Sequence, residues 1–86
     1  MDTKFPRSGQ LLSATLLGIG AAVRQARRSH GLTQTQLAGL AGTGLRFISE
    51  LERGKPNVAL DKTLAALAVL GLRLQISDAQ VSATKP

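Results

Sequence analysis

Residues 32–54, which read LTQTQLAGLAGTGLRFISELERG, constrain the fold most because they hold two apolar-periodic segments around a glycine-rich joint. The first segment follows Thr33, a residue type that caps helix N-termini. The joint at 42–44 is only long enough for a tight turn. The second segment stops at Gly54, as helices often do. Both segments carry apolar residues at helical spacing: Leu37, Ala38 and Ala41 in the first, Leu45, Ile48 and Leu51 in the second.

These features predict a helix-turn-helix, with helices over 34–41 and 45–53. In this motif the second helix enters the major groove of DNA. The composition agrees with a polyanionic partner, since 11 Lys and Arg against 5 Asp and Glu give a net charge of +6. At 86 residues the chain is expected to form one small domain.

The residue types that catalysis and metal binding require are scarce. The chain has no Cys, so neither a disulfide framework nor a Cys-ligated metal site is available. His30 precedes Gly31 at a predicted helix end, where it would meet the helix dipole. We therefore expect no enzyme activity, no metal and no cofactor. A reducing cytoplasm suits the chain, and a DNA partner would place it at the nucleoid.

The N-terminal part is expected to hold a flexible basic arm over residues 1–14, followed by a helix from Thr15 to Ser29 or His30. The core face of this helix is given by its apolar residues at helical spacing: Ile19, Ala22, Val23 and Ala26. The apolar run 11–23 follows basic residues, as in a secretory signal. However, polar residues interrupt it and it is too short to span a membrane, so no membrane partner is expected.

The C-terminal part changes its hydrophobic period. A helix is predicted over 60–70, which completes a helical domain over 15–71. Its core face is expected to carry Leu60, Leu64, Leu67 and Ala68, and its apolar outer face Ala65, Ala66 and Val69. Residues 72–77 alternate strictly between apolar and polar and therefore predict a strand. A lone strand in a helical domain has no pairing partner, and the same strand of a second copy is the simplest one. The dimer would then form through Leu72, Leu74 and Ile76, and residues 78–86 would be a disordered tail.

Residues 31–71 resemble the helix-turn-helix domain of the Cro/phage-repressor (XRE) family. The matching segments are LTQ at 32–34, LA at 37–38, AG at 41–42, IS at 48–49, LERG at 51–54 and LD at 60–61. The segment RFISELERGK at 46–55, with LDK at 60–62 and LGL at 70–72, resembles the HipB-like antitoxins in particular. The resemblance implies a mainly α, lambda-repressor-like domain of four to five helices with a C-terminal dimerising β-strand.

The resemblance also implies a function. HipB-like antitoxins are dimeric, sequence-specific repressors of their own operon, and they bind a HipA-like serine/threonine kinase toxin. The expected partners are therefore operator DNA, a second copy of the chain and such a kinase. Two alternatives remain open: a free-standing XRE-family regulator without a toxin, and a protein-interaction module that no longer reads DNA.

Site residues follow from the docking mode and the resemblance. The residues expected to face base edges are Gly44, Leu45, Arg46, Ser49 and Glu50. Arg46 has the strongest chemical case, because its guanidinium can bond guanine O6 and N7 together. Leu45 would equally fit the core. The expected phosphate contacts are Thr33, Gln34, Thr43, Arg53, Lys55 and Asn57.

One further pair is implied by the resemblance alone. In the family, an arginine of the first helix pairs with a glutamate of the recognition helix, and the matching residues are Arg27 and Glu52. Such a pair would tie the two helices together. The alternative for Arg27 is a solvated or phosphate-facing arginine, and the alternative for Gln34 is an ordinary surface residue.

Overall fold

The structure, a computed structural model, describes residues 8–56, 58–76 and 81–84. In these ranges the chain forms four helices and a two-stranded antiparallel sheet. The elements are α1 (Ser8–Ser29), α2 (Gln34–Ala41), α3 (Leu45–Glu52), α4 (Leu60–Val69), β1 (Arg73–Ile76) and β2 (Val81–Thr84). The predicted mainly helical fold is confirmed.

Helices α2 and α3 form because the signals that start and stop them are local. The Thr33 hydroxyl accepts a hydrogen bond from the Gln36 amide, and the Gln36 side chain accepts one from the Thr33 amide. This reciprocal capping box satisfies two amides that the first turn leaves free. At the other end, Gly42 adopts φ 70° and its amide donates back into the last turn of α2. Only three residues separate the two helices.

Helix α1 crosses the C-terminal end of α3 at close range, and two glycines permit it. A Cβ atom on Gly20 would lie 2.5 Å from the carbonyl oxygen of Leu51 and 2.7 Å from that of Glu52. Gly54, which follows α3 with φ +73°, would carry its Cβ only 3.0 Å from the Leu17 backbone. A side chain at either glycine would therefore push α1 and the end of α3 apart.

The hydrophobic core lies where the four helices meet, with α1 packed against α3 and α2 against α4. One large apolar side chain from each helix is fully buried: Val23, Leu37, Ile48 and Leu67. Burial of one such side chain stabilises a fold by about 1.5–3 kcal/mol. The predicted core faces of α1, α2 and α3 thus point inward, apart from the exposed Leu45, and the α3 face opposite Ile48 stays free. For α4 the predicted core face was mostly wrong: Leu67 is buried as expected, but Leu60, Leu64 and Ala68 are exposed, and Ala66 from the predicted outer face is fully buried.

The start of α1 differs from the prediction. The helix begins at Ser8, whereas the sequence pattern predicted a start at Thr15 and an arm over 1–14. Residues 12–14 are exposed, so this part of the helix has no core-facing stripe from which periodicity could reveal it. Residues 1–7 of the predicted arm lie outside the described ranges.

The strand also differs from the prediction, because it has a partner in its own chain. Strand β1 pairs antiparallel with β2, with Leu74 opposite Ala83. The argument that residues 72–77 require a second copy is therefore wrong, as is a disordered tail at 81–84. Residues 81–84 read VSAT, and their side chains are too small to produce a clear alternation of large apolar and polar residues. The sequence therefore did not predict a strand there. The remaining tail residues lie outside the described ranges.

The predicted dimer residues, one just before β1 and two on one face of it, differ in exposure. Leu72 is 9% exposed and belongs to the core, and Leu74 packs against that core. Ile76, on the same face, is 76% exposed. The hairpin therefore begins in the core of its own chain and extends beyond it, and of these three residues only Ile76 is exposed.

Candidate nucleic-acid interface

Helix α3 is amphipathic, and its outer face carries the residues predicted to meet base edges. Ile48 and Leu51 anchor the helix in the core. Gly44, Leu45 and Arg46 are exposed at its N-terminal end. The alternative that Leu45 belongs to the core does not match its exposed side chain. The two remaining candidates, about one turn further along, are half-buried: Ser49 and Glu50.

Three charged residues form a cluster at this face. The Glu50 Oε2 atom accepts a hydrogen bond from Lys55 Nζ at 2.7 Å and one from Arg46 Nε at 3.2 Å. The Lys55 ammonium, with help from the Arg46 guanidinium, holds the pKa of Glu50 below its ordinary value. Two cations and one anion thus share the outer surface of α3 and the loop that follows it.

The phosphate candidates are placed unequally. Arg53 and Lys55 are exposed in the loop after α3, and Thr33 is exposed at the start of α2. Thr43 differs, because its hydroxyl oxygen is buried and has no hydrogen-bond partner among the described residues. Its amide donates to the Ala38 carbonyl at 2.9 Å. Neither group of Thr43 is therefore available to a phosphate in this structure, and Asn57 lies outside the described ranges.

The structure brings together Arg27 and Glu52, the pair that the resemblance implied. Arg27 donates from Nε to Glu52 Oε2 at 2.6 Å and from Nη2 to Oε1 at 3.1 Å. Its remaining nitrogen, Nη1, donates to the Leu32 carbonyl at 2.8 Å. The two side chains are only 11% and 3% exposed. The hydrogen bond to Glu52 raises the pKa of Arg27 above its ordinary value.

Gln34 joins this pair, which the sequence did not indicate. Its side-chain Nε2 donates to Glu52 Oε1 at 3.1 Å. The Glu52 carboxylate therefore ties the end of α3 to α1 and to the first turn of α2. Gln34 keeps its backbone amide at the N-terminus of α2, where amides have no partner within the helix. That amide, rather than the side chain, is the group best placed for an anion.

Other classes of site are not supported in the part of the chain that the structure describes. It contains no group of three or more His, Cys, Asp or Glu residues that could hold a metal ion. The His30 ring nitrogen Nδ1 lies 2.8 Å from the Ala26 carbonyl at the end of α1, as a helix-terminal histidine would. Across the same ranges, no helix combines the length and apolar character needed to cross a membrane.

Neither contact of the charged cluster was predicted, although one of them carries a sequence signal. Arg46 and Glu50 stand four residues apart on a helix, a spacing that favours an ion pair. The third member, Lys55, lies beyond the end of α3, so its arrival at the same carboxylate depends on how the loop turns. The close approach at Gly20 had no signal beyond a glycine inside a predicted helix.

Comparisons with known proteins agree with this geometry. An HTH-type transcriptional regulator of Sinorhizobium fredii, y4mF, is 50% identical over 58 residues, which cover 67% of this chain and 76% of the relative. The Clp gene regulator ClgR of Corynebacterium glutamicum has a TM-score of 0.58 at 33% identity. That match covers 64% of this chain but only 58% of ClgR.

A second solved structure is more similar in size. The restriction-modification controller protein C.AhdI of Aeromonas hydrophila gives a TM-score of 0.59 at 34% identity, over 64% of this chain and 83% of that protein. The helix-turn-helix family model HTH_3 matches residues 23–82, a range that holds the capped α2, the turn and α3. The chain therefore belongs to the HTH_3 helix-turn-helix family and is a transcriptional regulator with a helix-turn-helix DNA-binding domain.

Proposed function

We propose that the chain is a sequence-specific repressor whose helix α3 reads operator DNA through Arg46. The observation that carries this proposal is the state of the Arg46 side chain, which is 87% exposed at the N-terminal end of α3. Its Nε is bonded to Glu50, and both terminal nitrogens remain for a base. A guanidinium in this state suits the paired acceptors of guanine. Gly44, Leu45, Ser49 and Glu50 are the neighbours proposed to meet the same groove.

The proposed phosphate contacts flank this helix on both sides. Arg53 and Lys55 extend from the loop after α3, and Gln34 offers its amide at the start of α2. Thr33 and Asn57 are the proposed neighbours of these groups. Such contacts set the position of α3 on the duplex without reading its sequence. They also make binding strongly dependent on salt.

We further propose that the repressor binds as a twofold dimer. A helix-turn-helix dimer sets its recognition helices about 34–36 Å apart, one turn of DNA, so the site would be palindromic. Ile76 is an exposed apolar residue of the hairpin and supports a contact there, as do the outer edges of the sheet, which have no strand partner among the described residues. Sedimentation of the wild type and of Ile76→Lys tests this contact. An unchanged dimer in the variant would move the interface elsewhere.

The readout proposal is tested on duplexes that the protein itself selects. The wild-type protein is given a pool of duplexes randomised over about 20 base pairs, a length that spans two half-sites. Arg46→Ala should then weaken binding to the selected duplex by about 1–3 kcal/mol and relax the preference at one base pair. Arg24→Ala, an exposed arginine on α1 with the same charge change, is the matched control.

Two outcomes would contradict this assignment. If the selection yields no consensus, the chain does not read sequence at all, and the alternative of a protein-interaction module gains support. If Arg46→Ala weakens the selected and a scrambled duplex equally, Arg46 contacts phosphate. Lys55→Ala is expected to weaken binding to the selected and the scrambled duplex equally. It should also reduce the slope of log affinity against log salt concentration by about one unit.

A finer proposal concerns the partner, and it rests on the resemblance of residues 46–55 to HipB-like antitoxins. In this account the repressor also neutralises a HipA-like serine/threonine kinase and represses the operon that encodes both. Leu60 and Leu64, exposed on α4, support a protein contact on a helix that packs against α2 rather than against α3. Both proteins would act on DNA in the cytoplasm, at the nucleoid.

The partner proposal is tested by co-expression with the neighbouring open reading frame. Co-purification of a kinase-like product, and a ternary complex that migrates more slowly than the repressor–DNA complex, would support it. Leu64→Lys should weaken this complex while DNA binding by the repressor alone is unchanged. If no adjacent kinase-like product co-purifies, the free-standing regulator is the better account.

A further inference from the structure

Glu50 is an anion placed in the middle of a surface that must accept a polyanion. A single oxygen, Oε2, receives both the Lys55 ammonium and the Arg46 guanidinium. The Glu50 side chain is 19% exposed, whereas Lys55 is 50% and Arg46 87% exposed. The carboxylate therefore lies beneath the two cations that would reach DNA first.

The bond to Arg46 restricts how its guanidinium can be used. Arg46 donates to the carboxylate through Nε, so the side of the guanidinium that carries Nε is occupied. The remaining edge carries the two terminal nitrogens, whose parallel N–H groups match the two acceptors of guanine. Without the carboxylate, a side chain this exposed would populate many rotamers and lose more entropy on binding.

The bond to Lys55 has a different consequence. Binding to arbitrary DNA depends almost entirely on cations that neutralise phosphates. A carboxylate at 2.7 Å from Lys55 Nζ already neutralises that cation and repels an approaching phosphate. Glu50 therefore weakens electrostatic binding to phosphates, which contributes equally to the affinity for every DNA sequence. It leaves the guanine-facing edge of Arg46 free.

The turn after α3 does not need this carboxylate for its closure. The Lys55 amide donates to the Glu50 carbonyl at 3.0 Å, and the Gly54 amide donates to the Leu51 carbonyl at 3.1 Å. These backbone bonds hold the loop next to the helix. Both cations of the cluster are exposed, and ion pairs made by exposed side chains contribute little to stability.

We propose that Glu50 is a specificity-determining positioning residue. It orients the Arg46 guanidinium for guanine and weakens phosphate binding by Lys55, so that sequence-independent binding is suppressed more than binding to the operator. The proposal rests on the proposed reading of DNA by Arg46.

The experiment compares Glu50→Gln with the wild type on two probes: the duplex selected from the randomised pool and a scrambled duplex of equal composition. Glu50→Gln should bind the scrambled duplex about three- to tenfold more tightly, since two exposed ion pairs no longer compete with phosphate. The ratio of selected to scrambled affinity should fall about tenfold. The base preference at the Arg46 position should relax as well.

Asp61→Asn is the matched control, because it changes the net charge by the same amount. Its carboxylate accepts the Lys62 amide at 2.8 Å and belongs to no ion pair within the described ranges. If Asp61→Asn changes the ratio as much as Glu50→Gln does, overall charge is responsible and the proposal is overturned. An unchanged ratio in Glu50→Gln overturns it too. A wild type without any preference between the two duplexes would instead refute the proposed function itself.

Discussion

The buried pair between Arg27 and Glu52 offers the sharpest test of how the recognition helix is held. Its two side chains are 11% and 3% exposed, and the Glu52 carboxylate receives three hydrogen bonds, two from Arg27 and one from Gln34. Removal of one member leaves the other charge buried and unpaired. Such a change costs about 3–5 kcal/mol.

This cost is large compared with the stability of a small domain, which is about 5–15 kcal/mol in total. A loss of about 3 kcal/mol corresponds to a fall in Tm of roughly 12 °C or more in a domain of this size. Glu52→Gln and Arg27→Met should each show a loss of this order. The double variant with Arg27→Met and Glu52→Gln should be more stable than the sum of the two single losses predicts, because no charge then remains unpaired.

The assay is urea unfolding followed by circular dichroism for the wild type, both single variants and the double variant. Asp61→Asn is an exposed carboxylate control and should cost less than about 1 kcal/mol. Two results would refute the reasoning. Either Glu52→Gln costs no more than the control, or the double variant loses the full sum of the single losses. In both cases the contact would be present without contributing to stability.

Three further predictions each concern substitutions at one or two positions. Gly20→Ala should destabilise the fold by about 1–3 kcal/mol in urea unfolding, because its Cβ would collide with carbonyl oxygens. Gly18→Ala meets nothing within 4 Å and should stabilise it by roughly 0.5–1 kcal/mol. Thr43→Val should raise Tm by removing a buried unpaired hydroxyl, with DNA affinity unchanged; a loss of affinity would restore Thr43 as a phosphate contact. Leu74→Asp should expose the hairpin amides to hydrogen exchange, whereas Ile76→Asp should not.

The helix-turn-helix could be predicted from the sequence because its signals lie within a few residues of the structure they produce. The Thr33 cap and the Gln36 amide are three residues apart, and Gly42 directly follows the helix that it ends. The start of α1 lacked such a signal. Helix α1 extends beyond the core, and a helix with no packed face shows no apolar period. Neighbouring residues therefore predicted the bounds of α2 and α3 to within one residue, but not the start of α1.

The site divides in a similar way. Arg46 and Glu50 share one helix face, so their contact follows from spacing. The contact between Gln34 and Glu52 joins residues 18 positions apart, and it depends on the angle at which α2 meets α3. The close approach of Gly20 on α1 to the end of α3 likewise joins residues far apart in sequence, and no local pattern contains it. Distances between elements therefore had to come from the structure.

The sheet shows a limit of a different kind. The alternation at 72–77 indicates that a strand needs a partner, but not whether the partner lies in the same chain. Residues 77–80 are the whole connection between β1 and β2, and closing so short a loop costs far less than bringing two molecules together. The chain can therefore supply a partner for β1 by itself, while in the part of the chain that the structure describes the outer edge of each strand is unpaired. A dimer formed through one of these edges would join two chains that are already folded. Its formation should therefore depend on protein concentration and on a palindromic duplex.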